Sequence, residues 1–168
     1  CRGDSTVKSD MLEFIGSSRT RTYDDVIGLR DLYPVKKAEI ARLQRGLSEG
    51  FAPLRSGRVP KVFLSVMEIE AWFISEWTHF KRLDQSLSKA AIHRTVGIDP
   101  ETCSIEEIPK PSETLHDIYS VAGKAYRKTL RHVERTVSLI DYEELCLTAI
   151  NRTIYLQMFL ERLESLVP

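Results

Sequence analysis

The sequence lacks an excess of charge, a cysteine framework and any long apolar run. Its 24 lysines and arginines are balanced by 24 aspartates and glutamates. No global field therefore draws the protein to nucleic acid or to an anionic membrane, and an anionic partner must be met by a local patch. The three cysteines, Cys1, Cys103 and Cys146, are odd in number and far apart. That pattern excludes a disulfide framework and a Cys-x-x-Cys zinc site, and it is the usage of a reducing, intracellular compartment. The longest apolar stretches, such as Val62 to Met67, fall far short of the roughly 20 residues that a membrane span needs. No signal-peptide pattern opens the chain, and a soluble, cytoplasmic protein is expected.

The opening, CRGDSTVKSD, also lacks an initiator Met and an apolar strand, which predicts a fragment whose first strand lies upstream. Its RGDS, Arg2 to Ser5, matches a short integrin-binding motif, but so short a match arises often by chance and nothing else is extracellular in character. The 168 residues suffice for one domain with a real core and are too few for two comfortable ones. A single domain over 1–168 is expected, with a sheet-containing part over 1–80 and a mainly helical part over 81–168.

What is present is a run of strands and helices followed by helices alone. Ser5 or Thr6 is placed to cap a helix in which Val7, Met11, Phe14 and Ile15 recur at helical spacing. Asp25 to Asp31 reads as a buried strand with an acid at its carboxyl end. KKAEIARLQRGLSEG puts Ile40, Leu43 and Leu47 on one face and closes on Gly50. FAPLRSGRVP is a loop, and its SGR, Ser56 to Arg58, is too short to cradle a phosphate. Lys61 to Met67 reads as a second buried strand. Helices are predicted through EIEAWFISEWTHF, through LDQSLSKAAIHRTVG to Gly97, from Ser112 to Val121, from about Tyr126 to Ser138, and from Tyr142 to Leu166. Alternating strands and helices imply an α/β fold with a small parallel sheet. Two strands are too few for a sheet covered on both faces, which again points upstream.

In a parallel sheet, ligands sit outside the carboxyl ends of the strands, where Asp31 and Glu68 both emerge. Glu70 follows in the first helical turn. Hard oxygen ligands of like charge call for a cation, and Mg²⁺ or Mn²⁺ is the usual one. The bland alternative is that Asp31 begins a turn and that Glu68 and Glu70 favour the positive end of a helix. His79, His93 and His116 have no partner at ligand spacing and are assigned surface or supporting roles. Trp72 and Trp77 are assigned to the core rather than to a base-stacking platform.

YDDVIGLRDLYP, then VPKVFLSVMEIEAWFISEW, then PKPSETLHDIYSVAGKAYRKTL together resemble a bacterial family of unknown function with a Toprim-like domain. Toprim is the metal-binding fold of topoisomerases, primases and the overcoming-lysogenisation-defect nucleases. The resemblance covers the chain from about Val7 onward. It implies a Toprim-like small parallel sheet flanked by helices, with a helical carboxyl-terminal region. Asp31 matches the strand-end aspartate of that fold's pair, and Glu68 and Glu70 match the acids of its E-x-E-A-W segment. The second aspartate of the pair would fall at Tyr33, and the first-strand glutamate would precede Cys1. The resemblance also draws attention to GKAYRKTLRH, where Lys124, Arg127, Lys128, Arg131 and His132 form the densest basic run. With Tyr126, that run would meet a phosphate backbone; the alternative is a solvated helix face balanced by Glu134.

The expected activity is metal-dependent cleavage of phosphodiester bonds, with Asp31, Glu68, Glu70 and Lys128 as catalytic residues and the three acids holding Mg²⁺ or Mn²⁺. The resemblance implies DNA or RNA as substrate, an ATPase partner, and work in defence against phage or mobile DNA. The alternative is a non-catalytic Toprim-like interaction module, favoured by the degenerate aspartate pair, whose long last helix docks a partner or a second copy.

Overall fold

The computed structural model describes residues 6–17, 25–52 and 60–167. RGDS, RTRTY and the SGR tripeptide lie outside the described residues. The chain forms two compact units, Cys1–Ser65 and Val66–Pro168.

The first unit contains α1 (Val7–Gly16), β1 (Ile27–Asp31), α2 (Ile40–Phe51) and β2 (Lys61–Ser65). The two strands pair in parallel, in a register that sets Ile27 against Lys61 and Asp31 against Ser65. The pairing continues one step, where the Leu32 amide donates to the Ser65 carbonyl at 2.8 Å. A β-carbon at Gly28 would collide with the side chains of Met11 and Val7, so α1 lies on the β1 face that carries position 28. Side chains alternate along a strand, which gives Arg30 the α1-covered face and Asp31 the opposite one. Met11 and Leu47 are buried, in line with the apolar periodicity of α1 and α2, whereas Phe51, expected in the loop, ends α2 and is buried with Leu64 of β2.

The second unit is helical: α3 (Glu70–Ser75), α4 (His79–Leu83), α5 (Lys89–Val96), α6 (Pro111–Ser120), α7 (Leu130–Val137), α8 (Tyr142–Leu147) and α9 (Ile154–Glu164). Its core gathers Ile74, Phe80, Ile92, Leu115, Ile118 and Tyr119, all fully buried. Trp72 is buried and stacks on Phe159 with ring centroids 5.5 Å apart, as its core assignment requires. α5 is delimited as its sequence dictates: the Ser88 hydroxyl accepts from the Ala91 amide, and Gly97 takes a left-handed φ of 83° at the end.

Three predicted helices are broken. The segment over 68–80 divides at Glu76, whose ψ of 69° leaves the helical region and whose carboxylate is buried on partners described below. The helix predicted from Tyr126 begins at Leu130. The helix predicted over 142–166 is interrupted by a 3-10 turn, Ala149–Arg152. There the Arg152 guanidinium donates to the carbonyls of Ser75 at 2.9 Å and Cys103 at 3.0 Å. The Thr153 hydroxyl donates to the Glu106 carboxylate at 2.8 Å, which favours the extended backbone of Thr153, φ −151°. The fold is thus mixed α/β with a small two-stranded parallel sheet and flanking helices. Among the described residues no helix is long and apolar enough to cross a membrane.

Candidate functional site

Met67, immediately before the acidic segment, has φ 65°. A side chain with a β-carbon in the left-handed region costs of order 1–2 kcal/mol, and such residues persist where surrounding structure imposes them. Beyond it Glu68 and Glu70 are both buried, Glu70 to 2% exposure. Glu70 does lie in the first turn of α3, as the alternative of acids at a positive helix end has it, but both acids are buried rather than solvated.

Each carboxylate is held on the second unit's own residues. The Glu68 Oε2 accepts from the Ser112 amide at 2.9 Å, an N–H in the first turn of α6, where the helix dipole favours an anion. The Glu70 Oε1 accepts from the Tyr126 hydroxyl at 2.8 Å. The Lys128 ammonium serves both, 2.6 Å from Glu68 Oε1 and 3.4 Å from Glu70 Oε2. Glu70 Oε2 accepts no hydrogen bond although it is buried. Burial pushes Glu68 up, but the Lys128 ammonium and the Ser112 amide outweigh it and hold its carboxyl below the usual range. Burial, then the Glu70 charge, raises the Tyr126 hydroxyl, so it stays protonated and donates.

The basic run is dispersed. Tyr126 is buried at 2% exposure and is taken up by Glu70, so it is not available to meet a phosphate backbone. Lys124 donates to Asp84 at 3.1 Å. Lys128 is the member directed to the acids, with its side chain 48% exposed. Asp31 belongs to the first unit, at the carboxyl end of β1, whereas Glu68, Glu70 and Lys128 belong to the second.

Two hard carboxylates, one with a buried oxygen that accepts no hydrogen bond, are the donor type that Mg²⁺ and Mn²⁺ take. Mg²⁺ is commonly held by one or two carboxylates, with water and substrate oxygens completing its shell. Among the described residues no group of three or more His, Cys, Asp or Glu is gathered to hold a metal. The second unit therefore offers two carboxylates and a lysine.

Glu76 is a third buried acid, outside the cluster expected from the sequence. Arg82 reaches its two oxygens at 3.1 and 3.0 Å, the Asp141 amide donates at 3.3 Å, and the Thr78 hydroxyl also donates to it. Burial pushes Glu76 up; the hydrogen bonds from His79 and Thr78 and the Arg82 charge hold it below the usual range. His79 is wholly buried, not a surface group. Its Nε2 lies 3.2 Å from the Tyr119 hydroxyl, which burial pushes up to about 12. The three-residue spacing of Glu76, His79 and Arg82 in the sequence was a usable signal, although the helix breaks at Glu76. With these donors supplied, the cluster braces the α3–α4 corner.

No curated protein and no solved structure matches the chain significantly. The family described as domain of unknown function DUF4276 matches residues 5–164, nearly the whole chain, and the protein belongs to that family.

Proposed function

We propose that the protein is a Mg²⁺- or Mn²⁺-dependent, Toprim-like nuclease that cleaves phosphodiester bonds. The observation that carries this reading is the buried pair Glu68 and Glu70 facing one half-exposed lysine, with Glu70 Oε2 accepting no hydrogen bond. The metal would be held by these two carboxylates. Asp31 joins them on the sequence resemblance alone. A bound divalent ion supplies polarisation of a phosphoryl oxygen and an acidified water.

The chain's own residues supply position. The Ser112 amide and the Tyr126 hydroxyl each fix one carboxylate oxygen, so the remaining oxygens are oriented before any ligand arrives. Lys128, with a flexible stem and a half-exposed side chain, is suited to exchange a carboxylate for a phosphate oxygen as charge develops there. DNA or RNA as substrate, an ATPase partner and a role in defence against phage or mobile DNA follow from the resemblance.

Lys128, with the Ser112 amide and the Tyr126 hydroxyl, also compensates both acids without a metal, and this favours the second reading, a non-catalytic interaction module in which the cluster only braces the fold. Calorimetric titration with Mn²⁺ separates the two. The wild type is expected to bind one ion, and Glu68→Gln and Glu70→Gln to lose at least tenfold in affinity. Asp31→Ala is expected to abolish metal-dependent cleavage of a labelled oligonucleotide with the fold intact. Absence of Mn²⁺ binding in the wild type would leave the interaction module.

A further inference from the structure

The first unit contains a cavity of about 500 Å³ between α1, α2 and β1, lined by Lys8, Arg30, Glu39, Arg42 and the apolar Val35, Leu43 and Leu47. Its volume lies within the usual range for small-molecule sites. Three cations line it against one acid. The Arg42–Glu39 pair, at 3.2 Å with side-chain exposures of 86% and 47%, is a rim pair in solvent. Among the described residues neither the Lys8 nor the Arg30 side chain forms an ion pair or hydrogen bond, and the Arg30 Nε is buried without a partner. Buried polar groups in folded proteins are almost always satisfied, and a charged one left unmade demands an explanation.

The backbone explains why the two cations line one cavity. Arg30 is fixed on a paired strand, on the face that α1 covers. Gly28, two residues earlier, lets α1 approach because no β-carbon stands in the way of Met11. Lys8 runs over Gly50, where a β-carbon would meet its Cδ at 2.9 Å. Two glycines thus admit the helix and the lysine stem, and both cations line the one cavity.

We propose that this cavity binds a small organic phosphate, independently of Glu68 and Glu70. Two uncompensated positive charges match a phosphate monoester dianion, and a guanidinium fork fits its oxygens with two parallel hydrogen bonds. Val35, Leu43 and Leu47 form the wall for its apolar part. Inorganic phosphate satisfies the charges and leaves that wall uncovered.

The test is calorimetric titration of the full chain with phenyl phosphate and with inorganic phosphate, in EDTA so that the result does not depend on a metal at the carboxylate pair. Saturable 1:1 binding is expected, tighter for phenyl phosphate, with at least a tenfold loss in Lys8→Gln and in Arg30→Gln. If Arg30→Gln fails to fold, Leu43→Glu, which sets an acid in the apolar wall, is expected to abolish binding in its place. Absence of saturable binding, or undiminished binding in the variants, overturns the proposal. Displacement of phenyl phosphate by a single-stranded oligonucleotide also overturns it, by assigning the site to a nucleic-acid backbone.

Discussion

Lys128 is the residue on which the carboxylate pair depends. It lies within ion-pair distance of both Glu68 and Glu70, and its removal would leave two buried acids of like charge with one amide and one hydroxyl between them. Losing one partner of a buried pair is strongly destabilising, but the lysine is half exposed, so Lys128→Met is expected to cost about 1–3 kcal/mol at pH 7. The pH dependence has a definite sign. Glu68 is held below its ordinary value of 4.5, so its contribution is fully present above that value and is lost as pH falls through the lower folded value. Without the ammonium, burial, which favours the protonated acid, is opposed at Glu68 only by the Ser112 donors. Thermal melts of both proteins should therefore differ most near neutrality and converge in acid. A gap that stays constant from pH 7 to pH 3 would show that Lys128 acts through packing of its stem instead.

At the scale of elements, the turn between α8 and α9 shows what one side chain can impose. Arg152 donates to two carbonyls from distant parts of the second unit, Ser75 and Cys103. Those groups lose charge-assisted partners in Arg152→Met, and a loss of about 2 kcal/mol is expected in urea unfolding, with the slope unchanged. A cost within experimental error would mean that water replaces the guanidinium. The same turn marks the limit of what periodicity reveals. Ile154, Met158 and Leu163 continue the apolar pattern from Leu145, so nothing local announces a break that long-range carbonyl partners create. The strands were legible, because each is a short apolar run ending in punctuation, and so was the end of α5 at Gly97, while its start lies at Ser88 rather than near Leu83. The acids Glu68 and Glu70 were legible as a cluster. That Tyr126 and the Ser112 amide would hold them was not, since those contacts span 56 and 44 residues of chain. Tyr126 was grouped with the basic run that would meet a phosphate backbone because a sequence shows the aromatic ring and not its burial.

At the scale of the whole molecule, the two units are unequal in what sustains them. The second has a core from Ala71 to Tyr126, with Val133, Val137 and Ile140 packed against it, and its carboxylates are held by residues of that same unit. The first rests on a two-stranded sheet, an arrangement of marginal stability without helices against it. A fragment spanning 66–168 is therefore expected to unfold cooperatively on heating, with the near-ultraviolet dichroism of a packed Trp72, which stacks on Phe159 inside the fragment. This fragment retains Glu68, Glu70, Lys128, Tyr126 and Ser112 and omits Asp31, so it isolates the aspartate's part in metal binding without a point substitution. If Asp31 supplies a ligand, as the resemblance implies, Mn²⁺ should bind the fragment at least tenfold more weakly than the full chain, a difference of about 1.4 kcal/mol. Equal affinities would remove Asp31 from the site and leave two carboxylates as the whole protein contribution. Mn²⁺ can also be followed by its effect on the melt. An ion that binds only the folded state at a hundred times its dissociation constant adds about 2.7 kcal/mol of stability, so the full chain's Tm should rise with Mn²⁺ and the Glu70→Gln variant's should rise less.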